Sequence, residues 1–180
     1  YDAAKLSPYD GRWPYLQGMM AVAKKQSTQA RDLFQAALAL DQAYLPIRFR
    51  LADALIETGD LNGAKKVLDD VIKVRQDMAP AYALLGEIAL KQKRYENAVE
   101  NLDRALKLEP QADQLYALLA EAYAGQGNTK AAQDAKILAG NNRPTLADPL
   151  ATGMYSPKMS GSAVDQAATL LRLHRFDEAR

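Results

Sequence analysis

The residues of this 180-residue chain whose types could do chemistry are not brought to one point by their spacing. Catalysis needs converging titratable groups. The single histidine is His174 and there is no cysteine. Disulfides, thiolate ligands and cysteine nucleophiles are therefore excluded within these residues, and a zinc or c-type haem site lacks ligands. Asp69-Asp70 is an adjacent acidic pair, but neighbours on a helix point about 100° apart, so a solvated face is the simpler reading. Gly125-Gln126-Gly127-Asn128 holds two glycines, yet it follows a helical pattern rather than a strand and has no phosphate-loop context. His174 falls at an inter-helix turn and reads as a surface residue. Trp13-Pro14-Tyr15 reads as core packing at the opening of a hairpin rather than as an aromatic ligand site. Lys24-Lys25 and Lys65-Lys66 read as helix-surface charges. No residue is named as catalytic, metal-ligating or cofactor-binding, and no enzyme activity is expected.

The bulk properties narrow the partners. Lys and Arg number 23 against 22 Asp and Glu, a net charge of +1. Without a basic stripe, nucleic acid is not expected as a partner. A hydrophobic content of 48% builds a core. The longest apolar runs are short and broken by polar residues, so no direct membrane insertion is expected. Tyr1-Asp2-Ala3-Ala4-Lys5 lacks the apolar stretch of a signal peptide. Short loops and the Gln and Lys content give the chain a bacterial character. Its compartment stays open between periplasm and cytoplasm, with the periplasm favoured.

The elements that carry these residues repeat. Ala30, Ala64, Ala98 and Ala132 are each 34 residues apart. The same step links the small residues Gly18, Ala52, Gly86 and Ala120, the large apolar residues Phe34, Leu68 and Leu102, and the column Ala3, Ala37, Val71, Ala105 and Ala139. Leu6, Leu40, Val74 and Leu108 form another column. Small residues midway along a first helix and early in a second let the two cross closely, and the bulky column fills the space between hairpins. Apolar residues at three- and four-residue intervals, such as Tyr82, Leu85 and Ala89, give helical period. Turn signals fall between helices at Gly59-Asp60, Gly127-Asn128 and, in the equivalent place, Lys93-Arg94. Pro8, Pro46, Pro80 and Pro110 sit at helix junctions, where a missing N–H costs little.

This pattern resembles the tetratricopeptide repeat (TPR) family, most closely over Leu84-Leu85-Gly86, Tyr95-Glu96-Asn97-Ala98 and Leu108-Glu109-Pro110, and over Leu51 with Gly59-Asp60-Leu61-Asn62-Gly63-Ala64. The resemblance covers nearly the whole chain. It implies an all-α right-handed superhelix, an α-solenoid of helix–turn–helix hairpins. Repeats are expected at 11–44, 45–78, 79–112 and 113–140, the last degenerate at its end. Residues 1–10 read as the end of a preceding repeat and 162–180 as the start of a further one. Ala179 stands 47 residues after Ala132, thirteen more than one step, so 141–161, with Pro144, Pro149 and Pro157, is expected to be a loop. Both ends cut a repeat, and a solenoid needs polar caps, so a longer parent protein is expected.

In TPR arrays the first helix of each hairpin lines the concave side. The resemblance therefore implies a partner-binding groove of Arg12, Tyr15, Leu16, Met19 and Val22, then Phe49, Arg50, Asp53 and Ile56, then Leu84, Glu87 and Leu90, then Leu118 and Glu121. Glu57, Ala83, Lys91, Gln114 and Ala117 adjoin it. The TPR clamp for chaperone carboxylate tails uses Lys and Asn at set places in the first helices, with further Lys and Arg in the next repeats; the corresponding stretch here offers Leu16, Met19, Arg50 and Asp53, so that specificity is not implied. Contiguous apolar surface marks an interaction site, and an apolar groove suits an amphipathic helix or an extended apolar segment of a protein partner. The alternative is that neighbouring helices or the 141–161 loop cover these residues. The expected function is a non-catalytic scaffold for a multiprotein complex. Its rivals are a recruiting or regulatory region of a larger enzyme or haem protein, and self-association through the ends.

Overall fold

The computed structural model describes residues 11–151. The expected repeat fragments at 1–10 and 162–180, His174, and residues 152–161 of the loop lie outside the described residues. Within them run α1 (Arg12–Ala23), α2 (Ser27–Leu40), α3 (Leu45–Glu57), α4 (Leu61–Val74), α5 (Ala79–Lys91), α6 (Tyr95–Leu108), α7 (Leu115–Gly125) and α8 (Thr129–Leu138). No strand occurs among the described residues.

The turns that join each odd helix to the even helix after it share one backbone device. Lys25, Gly59, Lys93 and Gly127, each 34 residues apart, all take the left-handed conformation, at φ 58°, 86°, 57° and 79°. The next residue is the N-cap of the following helix. Asp60 and Asn128 accept a hydrogen bond there from the Gly63 and Ala131 N–H groups, at 2.9 and 3.1 Å, satisfying donors that a helix start leaves open. Gln26 and Arg94, in the same place, make no such bond. Pro46 and Pro80 sit in the first turns of α3 and α5.

The described residues form two compact units, 11–59 with 147–151, and 60–146. In the first, α1 packs on α2 and α2 on α3. A Cβ at Gly18 would stand 2.5 Å from the Phe34 ring, so α1 and α2 cross where only glycine fits. In the second, α4 packs on α5, α5 on α6, α6 on α7 and α7 on α8. There a Cβ at Gly86 would meet the Leu102 side chain at 2.7 Å. The even-helix columns make the core: Ala30, Phe34 and Ala37, Ala64, Leu68 and Val71, and Ala98, Leu102 and Ala105 are all 1% exposed or less.

After α8 the chain forms no helix as far as residue 151. Its first part turns back onto the α6–α7 junction of the second unit. Asn142 donates its backbone N–H and its side-chain amide to the Asp113 carboxylate at 2.8 and 2.9 Å. Gln114 N–H donates to the Asn142 carbonyl at 3.1 Å, and Thr145 N–H to Glu109 Oε2 at 2.8 Å.

Candidate functional site

All fourteen expected groove residues lie on the odd helices α1, α3, α5 and α7. Their exposure divides them. Tyr15, Leu16, Phe49, Ile56 and Leu90 are buried and serve packing. Arg12, Met19, Arg50, Leu84, Glu87 and Leu118 are half-buried. Val22, Asp53 and Glu121 are exposed. The apolar part of the expected lining is thus drawn largely into the core, because the odd helices are apolar around more of their circumference than a one-faced surface helix. In α5 eight of thirteen residues are buried.

In the first unit the site is polar and occupied. Asp148 is the one buried charged residue among the described residues, its side chain 4% exposed. A buried carboxylate must be paired or it is expensive, and this one is served on both oxygens. Oδ2 accepts from the Tyr15 hydroxyl in a short hydrogen bond and from Arg50 Nη2 at 3.4 Å. Oδ1 accepts from the Tyr44 hydroxyl at 2.8 Å and from the Ala151 N–H at 3.1 Å. Four donors match the four lone-pair positions of an ionised carboxylate. The Tyr44 oxygen also accepts the Leu150 N–H at 3.1 Å, so one phenol reads both a side chain and the backbone two residues on.

Local structure aims these groups. Tyr15 is fixed in the first turns of α1 by a tilted contact with Phe34 at 5.8 Å and an edge contact with Tyr44 at 5.7 Å. Tyr44 caps α3, and its backbone N–H, with that of Ala43, donates to Asp41 Oδ1 at 3.1 and 3.0 Å. Arg50 follows on the second turn of α3. On the occupant's side, residues 149–151 form a turn begun by Asp148-Pro149, the residue order that β-turns favour. Burial, and next the hydrogen bond to Asp148, push the Tyr15 hydroxyl far above the ordinary tyrosine range, so it stays a donor. For Arg50 burial favours the neutral form, but Tyr15, Asp148 and Asp53 outweigh it and raise its pKa. Arg50 Nε is buried and has no hydrogen-bond partner among the described residues.

Asp148 and Tyr44 were not among the sequence candidates. Their only signal was the Asp-Pro pair, read there as loop punctuation. The residues weighed for chemistry sit elsewhere. Asp69 pairs with Lys65 at 2.6 Å and Asp70 with Lys73 at 2.8 Å, in opposite directions along α4. Gly127 forms a turn and Asn128 a helix cap. Trp13 is buried, and Lys25, expected as a surface charge, also carries a left-handed turn. No described helix is long and apolar enough to cross a membrane.

Comparison with known proteins agrees with the repeat. The Tetratricopeptide repeat family matches residues 21–88, and a second family described as TPR repeat matches residues 86–127. Residues 21–127 carry tetratricopeptide repeats. In fold, an all-α solenoid of helical hairpins, the chain is similar to MamA from Desulfovibrio magneticus RS-1, with TM-score 0.66 and 21% identity over 72% of this chain and 73% of that one. It is also similar to TTC0263, a thermophilic TPR protein of Thermus thermophilus, with TM-score 0.65 and 19% identity over 71% and 72%. YrrB, described as a TPR protein with an unusual peptide-binding site, matches with TM-score 0.58 and 16% identity over 67% and 62%. Among human proteins, Tetratricopeptide repeat protein 7B is 30% identical over 108 residues, 60% of this chain. Protein O-mannosyl-transferase TMTC1 is 29% identical over 82 residues, 46% of this chain. The chain spans only 13% and 9% of those two proteins.

Proposed function

We propose that this TPR chain is a non-catalytic scaffold that holds a protein partner on the first-helix faces of its hairpins. The observation that carries the reading is a polypeptide already seated on such a face: Tyr15, Tyr44 and Arg50 grip the turn at Asp148 through its carboxylate and through the Leu150 backbone. Each unit offers its own face. In the first, Met19 and Val22 on α1 and Asp53 on α3, further along the helices that carry Tyr15 and Arg50, are half-buried or exposed. In the second, Leu84, Glu87, Leu118 and Glu121 are the accessible members. A half-exposed leucine beside acidic residues suits a partner segment with apolar anchors, and apolar anchors carry much of an interface's energy.

The test is site-specific photo-crosslinking in the native host. A crosslinker at Met19, Leu84 or Leu118 is expected to capture a partner, whereas one at Lys66 or Lys107, on even helices, is not. Equal capture from both sets overturns the reading. A second reading is favoured by the match to the mannosyl-transferase, of which the matched stretch is 9%: the same faces recruit substrate to an enzyme of which this chain is one region. It predicts that the captured partner is modified by the parent protein.

A further inference from the structure

We infer that Tyr15, Tyr44 and Arg50 form a receptor for an aspartate-led turn of a partner protein, and that Asp148-Pro149-Leu150 is its displaceable internal occupant. The inference rests on the reading of these faces as protein-binding, and adds what the bound segment must carry. The three side chains do more than neutralise a charge. Tyr15 and Arg50 meet one carboxylate oxygen, Tyr44 meets the other, and Tyr44 also takes a backbone N–H two residues further on. A ligand must therefore present a carboxylate and a free backbone N–H at a fixed offset, as a turn with Asp first and Pro second does. An amide in place of the carboxylate would turn an NH2 toward a phenol or the guanidinium.

The internal occupant does not use all that the receptor offers. Arg50 reaches Asp148 through Nη2 only, at 3.4 Å, while its Nε is buried without a hydrogen-bond partner among the described residues. Guanidinium groups bind carboxylates best through two parallel N–H groups. A carboxylate seated closer to Arg50 would take Nε and Nη2 together and satisfy the orphaned donor. An external ligand can thus outcompete an occupant that has the advantage of tethering.

The experiment uses the full-length protein and a fluorescent peptide copying residues 143–153. Asp148→Ala and Asp148→Asn variants vacate the receptor. The peptide is expected to bind both variants, and to bind wild type at least about tenfold more weakly because the tethered segment competes. A peptide with the Asp148→Asn change is expected to lose binding, as is the native peptide on Asp148→Ala carrying Arg50→Gln or Tyr15→Phe. Equal affinity for the Asp and Asn peptides overturns the inference, as does failure of the peptide to bind either folded variant. Loss of helicity in both variants overturns it too, since Asp148 would then be a structural strut. A wild-type dimer that Asp148→Ala converts to monomer would make the occupant a second copy's segment, and the inference would fall. Crosslinking at Leu84 or Leu118 is independent of these outcomes, so failure here leaves the scaffold reading standing and is distinguishable from its failure.

Discussion

Tyr15 donates a hydrogen bond to Asp148, 133 residues further along the chain, and both are buried. The contact ties the segment after α8 to the first hairpin. Hydrogen bonds to charged groups are worth about 1.5–3 kcal/mol, so Tyr15→Phe is expected to destabilise the first unit by about 2 kcal/mol at neutral pH. The pH dependence has a definite sign. The folded-state pKa of Tyr15 is raised above the ordinary value of 10.0. Its stabilisation is therefore complete below that value and is lost as the pH rises above it. The gap in melting temperature between wild type and Tyr15→Phe should be constant from pH 7 to 9 and narrow above 10. A gap unchanged at pH 11 would mean that the phenol is not held as a donor.

The left-handed turns allow a second prediction. Lys25 and Lys93 hold φ near 58° and 57°, where Gly59 and Gly127 stand in the other hairpins. A side chain there costs about 1 kcal/mol, partly offset by glycine's greater freedom in the unfolded chain. Lys93→Gly should then stabilise by about 0.5 kcal/mol, and Gly127→Ala should destabilise by about 1 kcal/mol, although nothing lies within 4 Å of a Cβ at Gly127. Urea titrations of both variants measure the difference. A destabilised Lys93→Gly would show that the lysine side chain matters more than its backbone angle.

The neighbouring cap position gives a third. Arg94 starts α6 without a side-chain cap, where Asp60 and Asn128 cap α4 and α8. Arg94→Asp supplies an acceptor and removes a positive charge from the helix start, together worth about 1–2 kcal/mol. The melting temperature should rise by a few degrees, about 2–4 °C per kcal/mol at this size. No rise, with helicity unchanged, would mean that the α6 N-terminus does not limit stability.

What the sequence disclosed follows from the range of the contacts. The columns through Gly18, Phe34, Gly86 and Leu102 record packing between helices adjacent in the chain, so the same problem recurs every 34 residues and leaves a period. The Asp148 cluster joins α1, α3 and a segment beyond α8, occurs once, and leaves no period. Arg50 and Tyr15 were named for lying on first helices, but their partner was invisible because an Asp-Pro pair looks the same in a solvated loop. Ile56 was expected to face a groove, since periodicity identifies a helix more readily than it separates a buried odd helix from a surface one. Lys25 passed as a surface charge because nothing in a lysine signals positive φ.

Close crossing makes a fourth prediction. Alanine is a better helix former than glycine by about 1 kcal/mol, so Gly18→Ala and Gly86→Ala would stabilise if space allowed. At Gly18 the added Cβ meets the Phe34 ring, 0% exposed and in contact with Tyr15. At Gly86 it meets the branch of Leu102, also 0% exposed but an aliphatic side chain that can turn about its own bonds where a ring cannot. Overpacking of a fixed ring costs about 1–3 kcal/mol, so Gly18→Ala should be clearly destabilised and Gly86→Ala less so. The same loss at both sites would show that Leu102 is held as firmly as Phe34.

The last prediction separates fold from surface within the second unit. Ala98 is 0% exposed and packs with Ala89, Leu90 and Ala122, so Ala98→Glu buries a charge in a filled crossing and should cost about 3–5 kcal/mol. Arrays of repeats are marginally stable, and a loss of that size should unfold α5–α6 and whatever depends on it. Leu84 is half-buried on α5. Its replacement by Glu can leave the carboxylate in water, so Leu84→Glu should cost about 1 kcal/mol or less and keep its helicity. Ile56, buried at 6% exposure, should behave like Ala98 rather than like Leu84, against its place in the expected groove lining. Circular dichroism melts of Ala98→Glu, Ile56→Glu and Leu84→Glu rank the three. If Leu84→Glu melts as early as Ala98→Glu, Leu84 belongs to the core, and the second unit's partner face must be sought at Glu87, Leu118 and Glu121. If Ile56→Glu melts like wild type, its side chain escapes to solvent, and α3 offers more open surface than its burial indicates.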